Sequence, residues 1–295
     1  MRIVFIGCVQ FSHDALQTLL SLDDAEVVGV VTREESKFNS DFCSLQSLAS
    51  ENQIPCFLAK GNNQTEMLGF LKELQADVIY CFGWSYLLKS EILNLPPKGV
   101  VGFHPAALPQ NRGRHPLIWA LALGLSKTAS TFFIMDEGAD SGDILSQVEM
   151  SIEPDDDAAS LYKKMTDTAL TQIASFTKAL AGNNAKLVKQ DHSLANSWRK
   201  RGKADGQIDW RMNATSINNL VRALTQPYVG AHCVFQDQDV KVWKGKVATD
   251  PVPANIEPGK VLNIEGNAVL VKTGVGAFWI LEHEFSTLPQ KGEYL

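Results

Sequence analysis

Three short stretches of the chain carry side chains whose types and spacing could do chemistry. The first is Cys81-Phe82-Gly83-Trp84-Ser85-Tyr86-Leu87-Leu88, directly after an apolar run. Trp84 and Tyr86 offer flat faces to an aromatic ligand, and Gly83 would let the backbone approach one. A hydrophobic plug over the end of a sheet is the competing reading. The second runs from Phe103 to Pro116 and sets His104 among prolines and the arginines Arg112 and Arg114. Near neutral pH an imidazole can act as general acid, base or electrostatic stabiliser. The two arginines could hold a phosphate or carboxylate bidentately. Alternatively His104 bonds to backbone and the arginines are solvated. The third stretch, Met135 to Leu145, holds Asp136, Glu137, Asp140 and Asp143 with Gly138 and Gly142. Its spacing fails as a calcium loop. A carboxylate that orients His104 is expected there, with a solvated acidic turn as the alternative.

Such residues need a scaffold. Apolar runs without alternation at 2–7, 27–31 and 77–82 read as strands buried on both faces. Helices are expected at 12–22, with Ser12 as N-cap, at 42–52 and at 64–75, and a short edge strand at 54–57. This β-α-β-α order predicts a Rossmann-like, doubly wound parallel sheet, an α/β fold whose ligands bind at the carboxyl ends of the strands. A strand at 100–103, a helix at 115–124 with Gly124 at C′, strands at 128–135 and 144–152, and an amphipathic helix at 157–181 complete this part. Gly7-Cys8-Val9-Gln10-Phe11-Ser12 follows the first strand but is not GxGxxG, so a tight turn is preferred to a dinucleotide cradle.

Composition narrows the class. The 295 residues carry 27 Lys+Arg against 33 Asp+Glu, a net charge of −6, and no long apolar run suggests a membrane span. The apolar N-terminus is too short and too soon broken for a signal peptide and reads as a strand. Five cysteines without CxxC spacing suit a reduced, cytoplasmic protein with no metal site. Composition changes near residue 183, and short strands with turns between them follow residue 224. The expected division is a catalytic domain at 1–190, a linker at 191–206 and a smaller C-terminal β-barrel, OB-like, at 207–295. Within the linker, Trp198-Arg199-Lys200-Arg201 is a local basic stretch, read as solvated.

In this order the three stretches resemble the formyltransferase family that uses 10-formyltetrahydrofolate. The resemblance rests on Gly99 to Pro105 with Leu108-Pro109, on Arg112-Gly113-Arg114-His115-Pro116, and on Met135 to Asp143. Asp205-Gly206-Gln207-Ile208-Asp209-Trp210, Asn219 to Leu224 and Pro227 to Ala231 resemble the C-terminal region of methionyl-tRNA formyltransferases. The family moves a formyl group to an amine with an Asn, a His and an Asp. The resemblance implies His104 and Asp140 for two of these. The Asn position holds Gly102, a departure, and Asn111 is the candidate replacement. It further implies that Phe82, Gly83, Trp84, Tyr86, Leu88, Met135, Asp136, Gly138 and Asp140 line a folate pocket, and that Phe11, Ser12, Arg112 and Arg114 contact substrate. Among acceptors, the Arg112-Gly113-Arg114 segment is most similar to sugar formyltransferases. The Thr32–Asp41 loop is mixed in charge, where a tRNA acceptor would call for more cations. The expected substrate is therefore a nucleotide-linked amino sugar, with nucleic acid and membrane disfavoured and a homodimer compatible. A methionyl-tRNA formyltransferase, or a non-catalytic folate or nucleotide binder, is the alternative.

Overall fold

The computed structural model describes residues 1–35 and 41–295. In chain order its elements are β1 (Arg2–Ile6), α1 (Gln10–Leu20), β2 (Glu26–Thr32), α2 (Gln46–Glu51), β3 (Cys56–Leu58), α3 (Gln64–Leu74), β4 (Val78–Cys81), α4 (Ser90–Leu93), β5 (Val100–His104), β6 (Arg112–Gly113), α5 (Pro116–Ala122), β7 (Lys127–Ile134), β8 (Ile144–Ser151), α6 (Ala158–Ala181), β9 (Ser197–Trp198), α7 (Ala214–Leu224), β10 (Ala231–Phe235), β11 (Gln238–Val247), β12 (Val261–Glu265), β13 (Ala268–Lys272) and β14 (Ala277–His283). They form two compact units that interleave along the chain.

The first unit comprises residues 1–113, 128–150 and 163–198. Its seven-stranded sheet has the order β3-β2-β1-β4-β5-β7-β8. From β3 to β5 neighbouring strands are parallel, while β7 runs antiparallel to β5. A parallel step needs a crossover over the sheet face. The helix between β5 and β7, α5, is instead part of the second unit, so β7 returns antiparallel. Strand order reverses between β1 and β4, which makes the loops after these strands the expected ligand crevice.

The apolar runs form strands because both faces are covered. Ile3, Val4, Phe5 and Ile6 are fully buried, as are Val30 and Val31. Seven aromatic rings stack through the centre: Phe5, Phe11, Tyr80, Phe82, Phe103, Phe132 and Phe176. Tyr80 also shares a 2.9 Å hydrogen bond with Thr177, tying α6 to the sheet. Burying each such ring stabilises the fold by about 1.5–3 kcal/mol.

The start of α1 differs from expectation. The N-cap is Val9, and Ser12 lies three residues inside the helix. Its hydroxyl accepts the Val9 N–H at 3.2 Å and donates to Phe82 O at 2.7 Å. A cap side chain must reach N–H groups ahead of it. Ser12 instead reaches back and binds the end of β4.

The second unit comprises residues 114–127, 151–162 and 199–295. It holds a five-stranded antiparallel sheet, order β10-β11-β14-β13-β12. Helix α7 begins at Asn213, whose side chain accepts the Ser216 N–H at 2.7 Å, and buries Ile217, Leu220, Val221 and Leu224. Against α7 packs α5, which ends at Gly124 with φ +68°. There the Leu125 and Gly124 N–H groups bond to Ala120 O and Leu121 O, the pairing expected of a C′ glycine. Arg222 on α7 donates to the carbonyls of Glu153 and Asp156. These contacts place two segments of the expected 1–190 domain in the C-terminal unit. The last boundary, between Trp198 and Arg199, falls inside the expected linker.

Candidate active site

His104 ends β5 and is 4% exposed. Its Nε2 lies 2.7 Å from Asn111 O, and since a carbonyl only accepts, Nε2 carries the proton. On the other side, Nδ1 faces Asp140 Oδ2 at 3.6 Å, an ion-pair distance. The same Asp140 oxygen accepts the Gly113 N–H at 2.9 Å. Three of the sequence candidates thus meet in one cluster, on two loops far apart in sequence.

Local backbone explains these residue types. Asn111 and Asp140 have φ of +63° and +55°, left-handed conformations that Asn and Asp tolerate better than other non-glycine residues. Gly113 has φ +100°, and a Cβ there would lie 2.3 Å from Trp198 O, so the β6–β9 pairing requires glycine. Asn111 meets His104 through its backbone carbonyl, and its N–H goes to Asn196 Oδ1 at 2.8 Å. The geometry therefore gives Asn111 a backbone reason, in place of the side-chain amide expected from the sequence.

Gly102 has a packing reason. A Cβ there would lie 2.8 Å from Met135 Cγ and 2.9 Å from the Phe133 ring. The space beside β5 that a larger side chain would use is occupied by two apolar side chains.

Residues the sequence did not single out hold the cluster. Thr131, paired with His104 across the sheet, donates to Ala106 O at 2.7 Å. Gln147 bonds Leu108 O and Thr131 Oγ1, both at 2.9 Å. Gln190, 7% exposed, donates to Asp140 O and Gly142 O and accepts from Arg112 Nη2 at 2.6 Å. A glutamine or threonine in a loop or strand gives no periodic signal. The one hint was the polar stretch beginning at Gln190, which reads as loop.

The remaining candidates divide. Trp84 and Met135 pack against the cluster that holds Leu88 and Cys81, and buried Trp84 Nε1 has no hydrogen-bond partner among the described residues. Tyr86 accepts from Arg33 Nη1 at 3.2 Å beneath that guanidinium. Phe82 lies in the interior. Its ring is fully buried in the aromatic core, its N–H bonds Ile6 O and its carbonyl is taken by Ser12. Phe11 and Ser12, 5% and 0% exposed, likewise serve the interior. Gly83 has φ +69°, and its Cβ side abuts Val9 and Ser12, so packing accounts for this glycine. Asp136 accepts from the Gly138 N–H and the Ser141 hydroxyl and shapes its own turn. Arg112 Nη2 also contacts His192 Nδ1 at 3.0 Å, leaving the buried Nε without a partner. Arg114 is exposed and belongs to the second unit.

Burial pushes the Cys8 thiol up to about 11 and raises Cys81 too, so neither is a ready nucleophile. Among the described residues no cluster of His, Cys, Asp or Glu could hold a metal ion, and no helix is long and apolar enough to cross a membrane.

A family model described as formyl transferase matches residues 1–176, and one described as formyl transferase, C-terminal domain, matches 200–290. The chain belongs to the formyl transferase family. The methionyl-tRNA formyltransferase of Caldanaerobacter subterraneus subsp. tengcongensis is 32% identical over 96% of this chain and 91% of its own. The bifunctional polymyxin resistance protein ArnA of Wigglesworthia glossinidia brevipalpis is 28% identical over 97% of this chain and 43% of its own. Among solved structures, WlaRD, a sugar 3N-formyl transferase crystallised with dTDP and 5-N-formyl-THF, superposes with a TM-score of 0.73 at 18% identity, covering 98% and 99% of the two chains. The methionyl-tRNA formyltransferase of Clostridium thermocellum also superposes on this formyltransferase, with a TM-score of 0.61 at 16% identity, so the solved structures sharing its fold carry both acceptors in their names.

Proposed function

We propose that this formyltransferase moves the formyl group of 10-formyltetrahydrofolate to the amine of a nucleotide-linked amino sugar, a 4-amino-4,6-dideoxy sugar by expectation, for bacterial surface glycan or nonulosonic acid synthesis. The observation that carries the chemistry is His104, held between the Asn111 carbonyl and the Asp140 carboxylate.

The loop after β4 fits the folate. Trp84 and Met135 give an apolar wall. The folate supplies a formyl group activated by attachment to nitrogen. The acceptor amine forms the new C–N bond, and the bond from the formyl carbon to the folate nitrogen breaks. The His104 Nε2–H is placed to stabilise the oxygen charge that develops, once it exchanges Asn111 O for that oxygen. Asp140 keeps the ring oriented and offsets positive charge that develops on it during the transfer. The amine's proton passes through His104 to the departing nitrogen.

Two features support a small acceptor. The net charge is −6, and the Thr32–Asp41 loop lacks a basic run, although its residues Ser36 to Ser40 lie outside the described ones. WlaRD, similar over nearly its whole chain, was crystallised with dTDP. Incubating the full chain with 10-formyltetrahydrofolate and, separately, UDP- and dTDP-linked 4-amino sugars tests the reading. Formylated sugar is expected, and formylation of methionyl-tRNA alone would overturn it.

A further inference from the structure

Residues 82–89, between β4 and α4, form no helix or strand, so their backbone groups take partners from side chains that reach in from other elements. Ser12 on α1 donates to Phe82 O, and the Cys8 thiol, just after β1, donates to Gly83 O at 3.5 Å. The far end of the loop is held by Gln64, the first residue of α3. Its Nε2 donates to Leu87 O at 2.8 Å, and its Oε1 accepts the Lys89 N–H at 2.8 Å. The second N–H of the amide goes to Asn62 Oδ1, also at 2.8 Å. A backbone carbonyl only accepts and a backbone N–H only donates, so the two loop contacts fix which way the amide faces.

Gln64 is 5% exposed, and its donors and its acceptor are engaged, as a buried amide requires. Its two bonds to the loop straddle Leu88. Leu87 is 67% exposed, while Leu88 is 6% exposed and joins the apolar cluster against which Trp84 and Met135 pack. The turn that carries Gln64 is itself fixed, since the N-cap Asn63 accepts the Thr65 N–H at 3.3 Å. A loop held through its main chain in this way is ordered on folding, and that ordering need not be completed on binding.

We infer that Gln64 is a positioning residue for the formyl donor. It acts through the loop, by fixing the backbone from Leu87 to Lys89 and with it the wall made by Trp84, Leu88 and Met135. This rests on the reading that the loop after β4 lines the folate pocket. An apolar side chain of the same length would leave Leu87 O and the Lys89 N–H without these partners. The loop would then shift to find water, and folate binding would include the cost of restoring it. His104 and Asp140 lie on other segments, so the effect falls on affinity for folate.

Calorimetry with the full chain and 5-formyltetrahydrofolate tests this, beside hydrogen exchange at the Lys89 amide. Gln64→Met should weaken folate binding by about tenfold and remove protection at Lys89, with the strands of the sheet protected as in wild type. In Gln64→Glu an ionised carboxylate still accepts from Lys89 but cannot donate to Leu87 O, whereas a protonated one can. Burial raises a carboxyl's pKa, so the folate affinity of Gln64→Glu relative to wild type should be reduced at pH about 9 and recover towards pH about 6. Loss of packing alone would give no such profile. Unchanged folate affinity in Gln64→Met, or a Gln64→Glu ratio that is the same throughout this range, overturns the positioning role. Trp84→Ala separates the two readings. If it weakens folate binding and Gln64→Met does not, the pocket stands and the clamp falls; if neither does, both fall. Should Gln64→Met fail to fold, the Gln64→Glu profile decides alone.

Discussion

His104 and His115 lie eleven residues apart in sequence and in opposite electrostatic surroundings. Both ring nitrogens of His104 face acceptors, a carbonyl and a carboxylate. His115 sits near Arg114, Arg201 and Lys200 with one nitrogen unpartnered among the described residues; burial and these cations push its pKa down, and Asp205 partly offsets them. The difference teaches what each residue is prepared for. An imidazole with carboxylate support can hold a proton for a reacting group. An imidazole beside cations and partly out of water is prepared to stay neutral.

Substitutions can break this contrast. The largest effect is expected for His104→Ala. Loss of an oxyanion donor costs ~10²–10³ in turnover, and loss of proton transfer adds to it. Turnover measured beside folate affinity checks this, since a wild type that binds folate without turning over would make the chain a binder. Asp140→Asn is the next largest. Asn tolerates the left-handed backbone and can still accept the Gly113 N–H, so the charge is the main loss. A fall of ~10²–10⁴ in kcat with little change in thermal stability is expected.

The His115 side is read by NMR. Its titration midpoint should lie below 6.5. The sign for stability follows. With the folded pKa depressed, the unfolded chain binds more protons between the two values. Stability should therefore fall as pH drops below 6.5 towards the folded pKa, and less so in His115→Asn. The smallest effect concerns Asn111. If its carbonyl is what matters, Asn111→Gly should keep turnover near wild type, while Asn111→Ala loses about 1 kcal/mol of stability from its left-handed φ.

The sheet was legible because burial on both faces leaves uninterrupted apolar runs, as at Ile3 to Ile6 and Val78 to Cys81. His104 and Asp140 stood out by residue type and by resemblance. The clamps at Thr131, Gln147, Gln190 and Asn196 did not, because one polar side chain reaching a distant loop carbonyl or N–H has no local pattern. The two-residue pairing of β6 with β9 and the packing of α5 on α7 are non-local too, and so the interleaved units were hidden. Ser12 shows the limit of local rules, since a serine beside a helix start need not be its cap. Asn111 shows another: residue type pointed to an amide, and the backbone conformation supplied a carbonyl.

The account's central claim is the acceptor. A competition assay offers the chain limiting 10-formyltetrahydrofolate with UDP- and dTDP-linked 4-amino sugars and methionyl-tRNA together, and mass spectrometry follows where the carbonyl goes. The account predicts formyl on a sugar amine, abolished by His104→Ala. Formyl on methionyl-tRNA alone, or on no acceptor, would contradict it.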